Sequence, residues 1–331
     1  MIISRTPFRI SFFGGGTDYP IHYKKHGGAV LATSINKYCY INCRYLPPFF
    51  EHKNRIVYSK IEYTRDFSEI QHPSVRECLK FMKIDRGVEI HHDGDIPARA
   101  GLGTSSSFTV GLLNVLYALK GKIVTKRQLA LDTIHVEQNV IKENVGSQDQ
   151  ITAAFGGFNK IEFDGDQEFR VQPITMPKEK FHLLQDHMML FFTGLSRTAS
   201  DIAKTQIQKT PEKKNELKRM AEMVDEAVNI LNENDTDLRG FGKLLHESWK
   251  IKRNLTDKIS TSEVDKIYNT AIEAGALGGK LLGAGGGGFI LFFVEPEKQK
   301  NVMKKLRNLL YVPFKFENLG SQIIYYNKEL E

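Results

Sequence analysis

The residues best suited to chemistry open at Pro97-Ala-Arg99-Ala-Gly101-Leu-Gly103-Thr-Ser105-Ser-Ser107, where two glycines one residue apart precede a run of hydroxyl side chains. Behind them Phe108, Leu112, Val115, Leu116 and Leu119 recur with the period of an amphipathic helix, so the spacing predicts a helix start here. The first N–H groups of such a helix are unpaired and lie at the positive end of its dipole, a seat for phosphate oxygens. The hydroxyls can cap the helix or reach a phosphate-bound Mg²⁺. This is not a G-x-x-x-x-G-K-[ST] loop; the stretch from Gly275 to Lys280 comes nearest and has Leu281 where that loop needs a hydroxyl.

Three carboxylates stand in informative places. Asp18 follows Gly14-Gly-Gly-Thr17 at the end of the strand-like run Ile2–Phe13, where it can accept hydrogen bonds from hydroxyl groups or cap a glycine-rich hairpin. Arg9 and Ser11 alternate onto one face of that strand, and Pro7 predicts an edge or a bulge. Glu137 falls on the apolar stripe of Ala130, Ile134 and Ile141, in a helix opened by Thr125 and running to about Glu143; an inward carboxylate needs a buried cation or a metal ion. Asp149 lies in the polar turn Asn144–Gln150, where it is a turn residue or, beside a reacting hydroxyl, an acid or base.

The positioning elements read as strands over Gly27–Tyr45, Arg55–Thr64 and Gly87–His92 and a helix over Ser74–Met82. A hairpin follows over Phe158–Phe163 and Phe169–Ile174, then a linker over Gln172–Lys180. Beyond it come a strand at His187–Phe192, helices at Pro211–Leu231, Leu238–Lys252 and Thr261–Ala274, and a glycine-rich stretch from Gly278 to Gly288 feeding the strand Phe289–Val294. A helix at Glu297–Leu310 and strands near Pro313–Glu317 and Gln322–Tyr326 are expected to finish the second domain. His91-His92-Asp93 sits on a strand, where adjacent side chains diverge and chelate poorly.

With 331 residues, 41% hydrophobic and 26% charged, the chain has the makeup of a globular protein of two ordinary domains. It has no apolar run long enough to span a bilayer and no signal-peptide pattern, so a cytoplasmic protein with no membrane partner is expected. Three cysteines are too few for a disulfide framework, and Cys39 and Cys43 share one strand face as core residues. A formal charge of +7 favours anionic partners; no nucleic-acid motif accompanies it, so small phosphorylated molecules fit better.

Pro7-Phe-Arg9-Ile-Ser-Phe-Phe-Gly14-Gly-Gly-Thr17-Asp18-Tyr19, Pro97–Ser107 and Lys280–Gly288, in that order, resemble the three motifs of the GHMP kinase superfamily, with Glu137 and Asp149 between the second and third. The resemblance covers nearly the whole chain. It implies an α+β, two-domain architecture with the active site in the cleft between the domains. The N-terminal domain, over 1–173, would be like domain 2 of ribosomal protein S5, and a ferredoxin-like α/β sandwich would occupy 174–331. It implies ATP, Mg²⁺ and a small sugar phosphate as partners, with phosphorylation at the anomeric C1 hydroxyl; a homodimer is left open.

Carried over by position, the resemblance implies that ATP lies along Pro97, Arg99, Ala100, Gly101, Leu102, Gly103, Thr104, Ser105, Ser106 and Ser107. Ser105 and Glu137 would hold Mg²⁺, and Asp149 would be the base with Arg9 beside it. Asp18 would bind sugar hydroxyls, in a pocket lined by Gly15, Gly16, Thr17, Gly285 and Gly286. A distal phosphate needs a cation, for which Arg197 and Lys280 are the candidates, with Arg99 and Lys24 behind them.

Overall fold

The computed structural model describes residues 1–98, 100–165, 168–194, 199–233 and 235–327. Its spine is the antiparallel pair of β1 (Ile2–Phe13) and β2 (Gly28–Tyr45), joined through the short helix α1 (Pro20–His26). The pairing slips between Pro7 and Phe8 and again between Ser11 and Phe13. The first slip is the bulge that Pro7, with no N–H to donate, predicts. On β2, Cys39, Ile41 and Cys43 are all buried, and the three cysteines are free thiols.

The expected strand over 55–64 is a hairpin, β3 (Asn54–Val57) and β4 (Ile61–Thr64), because the chain turns back where the Tyr58 N–H meets the Lys60 carbonyl. Helix α2 (Pro73–Phe81) leads to β5 (Val88–Gly94), which lies between β2 and β3. Then come α3 (Thr104–Leu119), α4 (Lys126–Ile134), α5 (Gln148–Phe155) and the hairpin of β6 (Phe158–Asp164) with β7 (Glu168–Pro173). The helix expected to run on to Glu143 widens instead into a π-helical turn over His135–Ile141.

The second half starts with α6 (Lys178–Asp186), β8 (Met188–Phe192), α7 (Ala199–Lys209) and α8 (Lys214–Asn232). It continues through α9 (Arg239–Arg253), α10 (Ser262–Glu273), β9 (Ala276–Leu281), β10 (Phe289–Val294), α11 (Pro296–Lys305) and β11 (Leu310–Tyr311). Its strands form an antiparallel sheet in the order β11-β8-β10-β9. Trp249, Tyr268, Phe191 and Phe292 fill its core.

The chain then returns. β12 (Phe316–Glu317) and β13 (Gln322–Tyr326) do not finish the second domain, as expected from sequence, but pair with β2 and β1 of the first sheet. The reason is an open edge. β1 offers unpaired backbone groups along Ile2–Arg5, which β13 takes up, and β12 takes up those at Ser34 and Ile35 of β2. The two halves are further welded by edge-to-face rings: Phe12 and Phe13 of β1 lie 5.6 and 5.1 Å from Phe241 of α9.

A fragment ending at residue 173 lacks both returning strands. It should therefore fail to unfold cooperatively in urea, whereas the same fragment coexpressed with 174–331 should be recovered as one soluble complex. A sharp urea transition for the fragment alone would contradict this account of the sheet.

Candidate active site

Arg9 sits near the C-terminal end of β1 and is almost wholly buried, with its side chain 5% exposed against 24% for Asp149. Its Nε and one terminal nitrogen donate to the two carboxylate oxygens of Asp149 at 2.7 and 2.8 Å, and its other terminal nitrogen donates to the Gly101 carbonyl at 2.8 Å. A planar fork suits this task, since a bidentate pair fixes direction as well as distance. Asp149 occupies the first turn of α5, where the unpaired N–H groups favour a carboxylate.

The glycine turn is therefore tied directly to Asp149. Gly103 takes a left-handed conformation (φ 71°) as the residue before α3, and a Cβ there would lie 3.3 Å from Asp149 Oδ2. No side chain caps α3, so the hydroxyls that the sequence offered as caps lie inside its first turn. Ser105 is exposed, Ser106 donates to Glu137 Oε2 at 2.9 Å, and Ser107 is spent on the Pro7 carbonyl. Ala100 and Leu102 are buried anchors whose carbonyls accept from Phe289 N–H and Arg9 N–H, while Pro97 is at the exposed rim. Thr104 opens the helix; Arg99 lies outside the described residues.

The third glycine-rich stretch buttresses this turn. Gly283 meets Gly101 so closely that a Cβ on it would stand 2.5 Å from the Gly101 Cα, and a Cβ on Gly288 would be 2.5 Å from the Ala100 carbonyl. Gly285 is buried against the Ile259 backbone, which corrects its assignment to substrate, and the Gly286 N–H donates to the Ile259 carbonyl. Thr17 is corrected too: it is fully buried, with its hydroxyl bonded to the carbonyls of Gly14 and Ala29.

Asp18 is buried, accepting from Gly16 N–H at 2.9 Å and more distantly from Gln148 N–H. Burial raises its carboxyl above the usual range, opposed by the Gly16 N–H, and the charge of Asp149 adds to the rise. Gly15 and Gly16 lead into it, with Gln206 of α7 against Gly16.

Lys280 does not stand in the cleft for a phosphate. It lies on β9, not in a loop, and its Nζ turns inward to the Phe12 carbonyl at 2.7 Å, a group freed by the second slip of β1. Burial holds its ammonium well below the ordinary lysine range. Lys24 is exposed in the last turn of α1, and Arg197 lies outside the described residues. Lys252, which sequence reasoning missed, is also buried. It donates to the carbonyls of Gly283 at 2.6 Å and Leu281 at 3.2 Å, and burial pushes it down to about 8. Its signal was present: it follows Phe241, Leu245 and Trp249 on the buried stripe of α9.

Residues 73–157 match the GHMP kinases N terminal domain and residues 223–312 the GHMP kinases C terminal domain, together more than half of the chain. The chain belongs to the GHMP kinase family. It is 29% identical to D-glycero-alpha-D-manno-heptose 7-phosphate kinase of Campylobacter jejuni, over 92% of this chain and 93% of that protein. It is 25% identical to the galactokinase of Pyrococcus furiosus over 91% of each. The crystal structure of a D-glycero-D-manno-heptose 1-phosphate kinase from Bacteroides thetaiotaomicron superposes with a TM-score of 0.75 at 24% identity, over 99% of this chain and 100% of that one, which establishes the shared two-domain fold.

In this GHMP kinase the candidate cation ligand is Glu137, 0% exposed in the π-helical turn. Its Oε2 accepts from Ser106 and from Gln150 Nε2 at 2.5 Å, while Oε1 is buried with no partner. An orphaned carboxylate oxygen beside a hydroxyl fits Mg²⁺, which takes few protein ligands and completes its shell with phosphate oxygens and water. The geometry favours Ser106 over Ser105 as the second ligand, since Ser106 is hydrogen-bonded to Glu137 whereas Ser105 is exposed. Among the described residues no cluster of three or more acidic, His or Cys side chains offers an all-protein metal cage.

Burial, with Glu143 nearby, pushes the Glu137 carboxyl up to about 7. A carboxyl whose folded value exceeds its unfolded one costs stability increasingly as pH rises from about 4.5 to about 7. Without divalent cation, Glu137→Gln should thus be more stable than wild type at pH 8, by roughly 1–3 kcal/mol, and similar to it at pH 4.5. Mg²⁺ should raise the wild-type melting temperature more at pH 8 than at pH 6, and not raise that of the variant; calorimetry in the two buffers tests both statements.

Proposed function

We propose that this chain is an ATP-dependent sugar kinase that phosphorylates the anomeric C1 hydroxyl of D-glycero-D-manno-heptose 7-phosphate, giving the 1,7-bisphosphate and ADP. The observation that carries the reading is the meeting of Asp149 with the glycine turn at Gly103, on the Arg9 fork that also holds Gly101. The likeness to the Campylobacter jejuni heptose 7-phosphate kinase, across nearly the full length of both chains, supports the choice of sugar.

The polyphosphate of ATP would rest on the N–H groups that open α3, flanked by Thr104 and Ser105, with Gly101 and Gly103 leaving room for it. Mg²⁺, held by Glu137 and Ser106, would neutralise charge on the phosphate oxygens. Asp18 would accept hydrogen bonds from sugar hydroxyls and so turn C1 toward Asp149. The C1 oxygen attacks the γ-phosphorus, its proton passes to an Asp149 oxygen, and the bond to the β-phosphate oxygen breaks as ADP leaves. Arg9 keeps Asp149 aimed, because a bidentate pair fixes direction as well as distance. An anomeric hydroxyl is more acidic than an ordinary alcohol, which lowers the demand on the base.

Asp149→Asn should reduce turnover by about 10²–10⁴-fold while the KM for ATP stays within about threefold. An unchanged turnover removes Asp149 as the base. ADP release measured with heptose 7-phosphate, L-fucose, D-mannose, D-galactose and homoserine tests the substrate; a clear preference for L-fucose would favour a fucokinase, and no release with any of them a nucleotide-binding sensor.

Lys252 adds a pH dependence of its own. It lies in the field of Arg9, Asp18, Asp149 and Lys280, and above about pH 8 the buried ammonium becomes a neutral amine. The amine still donates to both carbonyls, so the cleft loses a positive charge and not its shape. The KM for ATP should rise between pH 8 and 9 in the wild type, and Lys252→Met should start higher and show no such rise. Steady-state kinetics across that range decides it.

A further inference from the structure

A groove of about 790 Å³ runs between α1, the hairpin of β6 with β7, and α8, and none of Arg9, Asp18, Glu137 or Asp149 lines it. Helix α1 and the hairpin belong to the first half of the chain and α8 to the second, so the groove lies on the seam between the two. Its volume is that of a small-molecule site, which ordinarily encloses roughly 300–1,000 Å³. Basic groups converge at one end: His22 and His26 of α1, with ring centroids 5.3 Å apart, and Lys214 and Lys218 of α8, four residues apart and therefore on one face. His22 is buried, and that burial, then the charges of His26 and Lys214, lowers its pKa below the ordinary histidine value. Among the described residues no acidic side chain pairs with His22, His26 or Lys214, and Lys218 has only Glu222, at 3.9 Å. Lys160 on the groove floor differs, being neutralised by Glu162 at 2.6 Å and Asp225 at 2.7 Å. The far wall carries the exposed Asp164 and Glu168, which accept hydrogen bonds from hydroxyl groups and repel a phosphate.

We infer that this groove is an effector site for a phosphorylated, hydroxyl-bearing small molecule, whose phosphate bridges His22 and His26 of α1 to Lys214 and Lys218 of α8 while its hydroxyls face β6 and β7. The polarity of the groove sets the orientation, since unpaired cations stand at one end and carboxylates at the other. Helix α1 carries occupancy to the reacting centre. Tyr23, next to His22, stacks on Phe163 of the groove floor with ring centroids 5.3 Å apart. Its hydroxyl is 3.2 Å from Ser147 Oγ, and the Ser147 N–H donates to the Asp18 carbonyl at 2.9 Å. A ligand that ties α1 to α8 therefore holds Asp18 and the head of α5 in one arrangement, and a site ordered in advance binds its acceptor more tightly.

Isothermal titration calorimetry with ribose 5-phosphate and with inorganic phosphate, in the presence of Mg²⁺ and a non-hydrolysable ATP analogue, reads the binding without relying on the kinase reading. Ribose 5-phosphate should bind wild type with a Kd below about 1 mM, and inorganic phosphate, which brings no hydroxyl-bearing body, more weakly. The double variant Lys214→Ala/Lys218→Ala changes two exposed positions and should weaken ribose 5-phosphate at least about fivefold. Removing the same charge from α11, with Lys304→Ala/Lys305→Ala, should not. Ribose 5-phosphate should also lower the KM for the sugar that wild type phosphorylates by about twofold or more, and leave that of the α8 variant unmoved. No binding to wild type, or a loss in the α8 variant that is smaller or is matched by the α11 variant, overturns the site. Phosphate binding as tightly as ribose 5-phosphate overturns the contacts to β6 and β7, and an unchanged or raised sugar KM overturns the link to Asp18. A wild type that binds the probes but phosphorylates no sugar overturns the kinase reading and leaves the site standing.

Discussion

The bidentate ion pair between Arg9 and Asp149 is the constraint on which the rest of the molecule turns. One guanidinium holds the carboxylate at the head of α5, the carbonyl of the glycine turn before α3 and, through its own backbone N–H, the Leu102 carbonyl. Three segments far apart in the chain are thus fixed relative to each other by one side chain. Removing Asp149 leaves the buried Arg9 guanidinium unpaired, an effect worth several kcal/mol where it has been measured.

That pair could not hold its place if the two halves of the protein moved freely. The contact of Gly101 with Gly283 and of Ala100 with Gly288 is backbone against backbone, closer than any side chain permits. The glycines of the third motif let one domain press on the glycine turn before α3 of the other. Phe12, Phe13 and Phe241 form the apolar counterpart of this contact, and β12 and β13 complete it by returning the C-terminal chain to the first sheet.

Charge is balanced in the same narrow region. Asp18 and Glu137 are buried carboxylates raised by desolvation, and Lys252 and Lys280 are buried ammonium groups lowered by it. Each lysine donates to backbone carbonyls and not to a carboxylate, so the acidic groups are left for ligands. The proposed entry of a cation and a polyphosphate would offset the cost of burying these groups.

Much of this was legible in the chain. The helix after Ser107, the inward Glu137 and the bulge at Pro7 follow from apolar period and from the missing proline N–H, both local properties. The three-motif resemblance led to Arg9 and Asp149 as partners before any contact was visible. What the sequence could not supply was direction and distance between segments. Ser106 and not Ser105 faces Glu137 because α3 begins at Thr104 and because the following helix widens into a π turn, and no spacing rule reports that half-turn. Lys280 looked free and Gly285 looked like a pocket wall because strand and loop were not separable in a run of glycines, which lack the side chains that reveal a period. Periodicity, caps and glycine placement were set by the sequence itself, since they depend on neighbours a few residues away; which hydroxyl meets which carboxylate was decided only when chain segments a hundred residues apart were packed together.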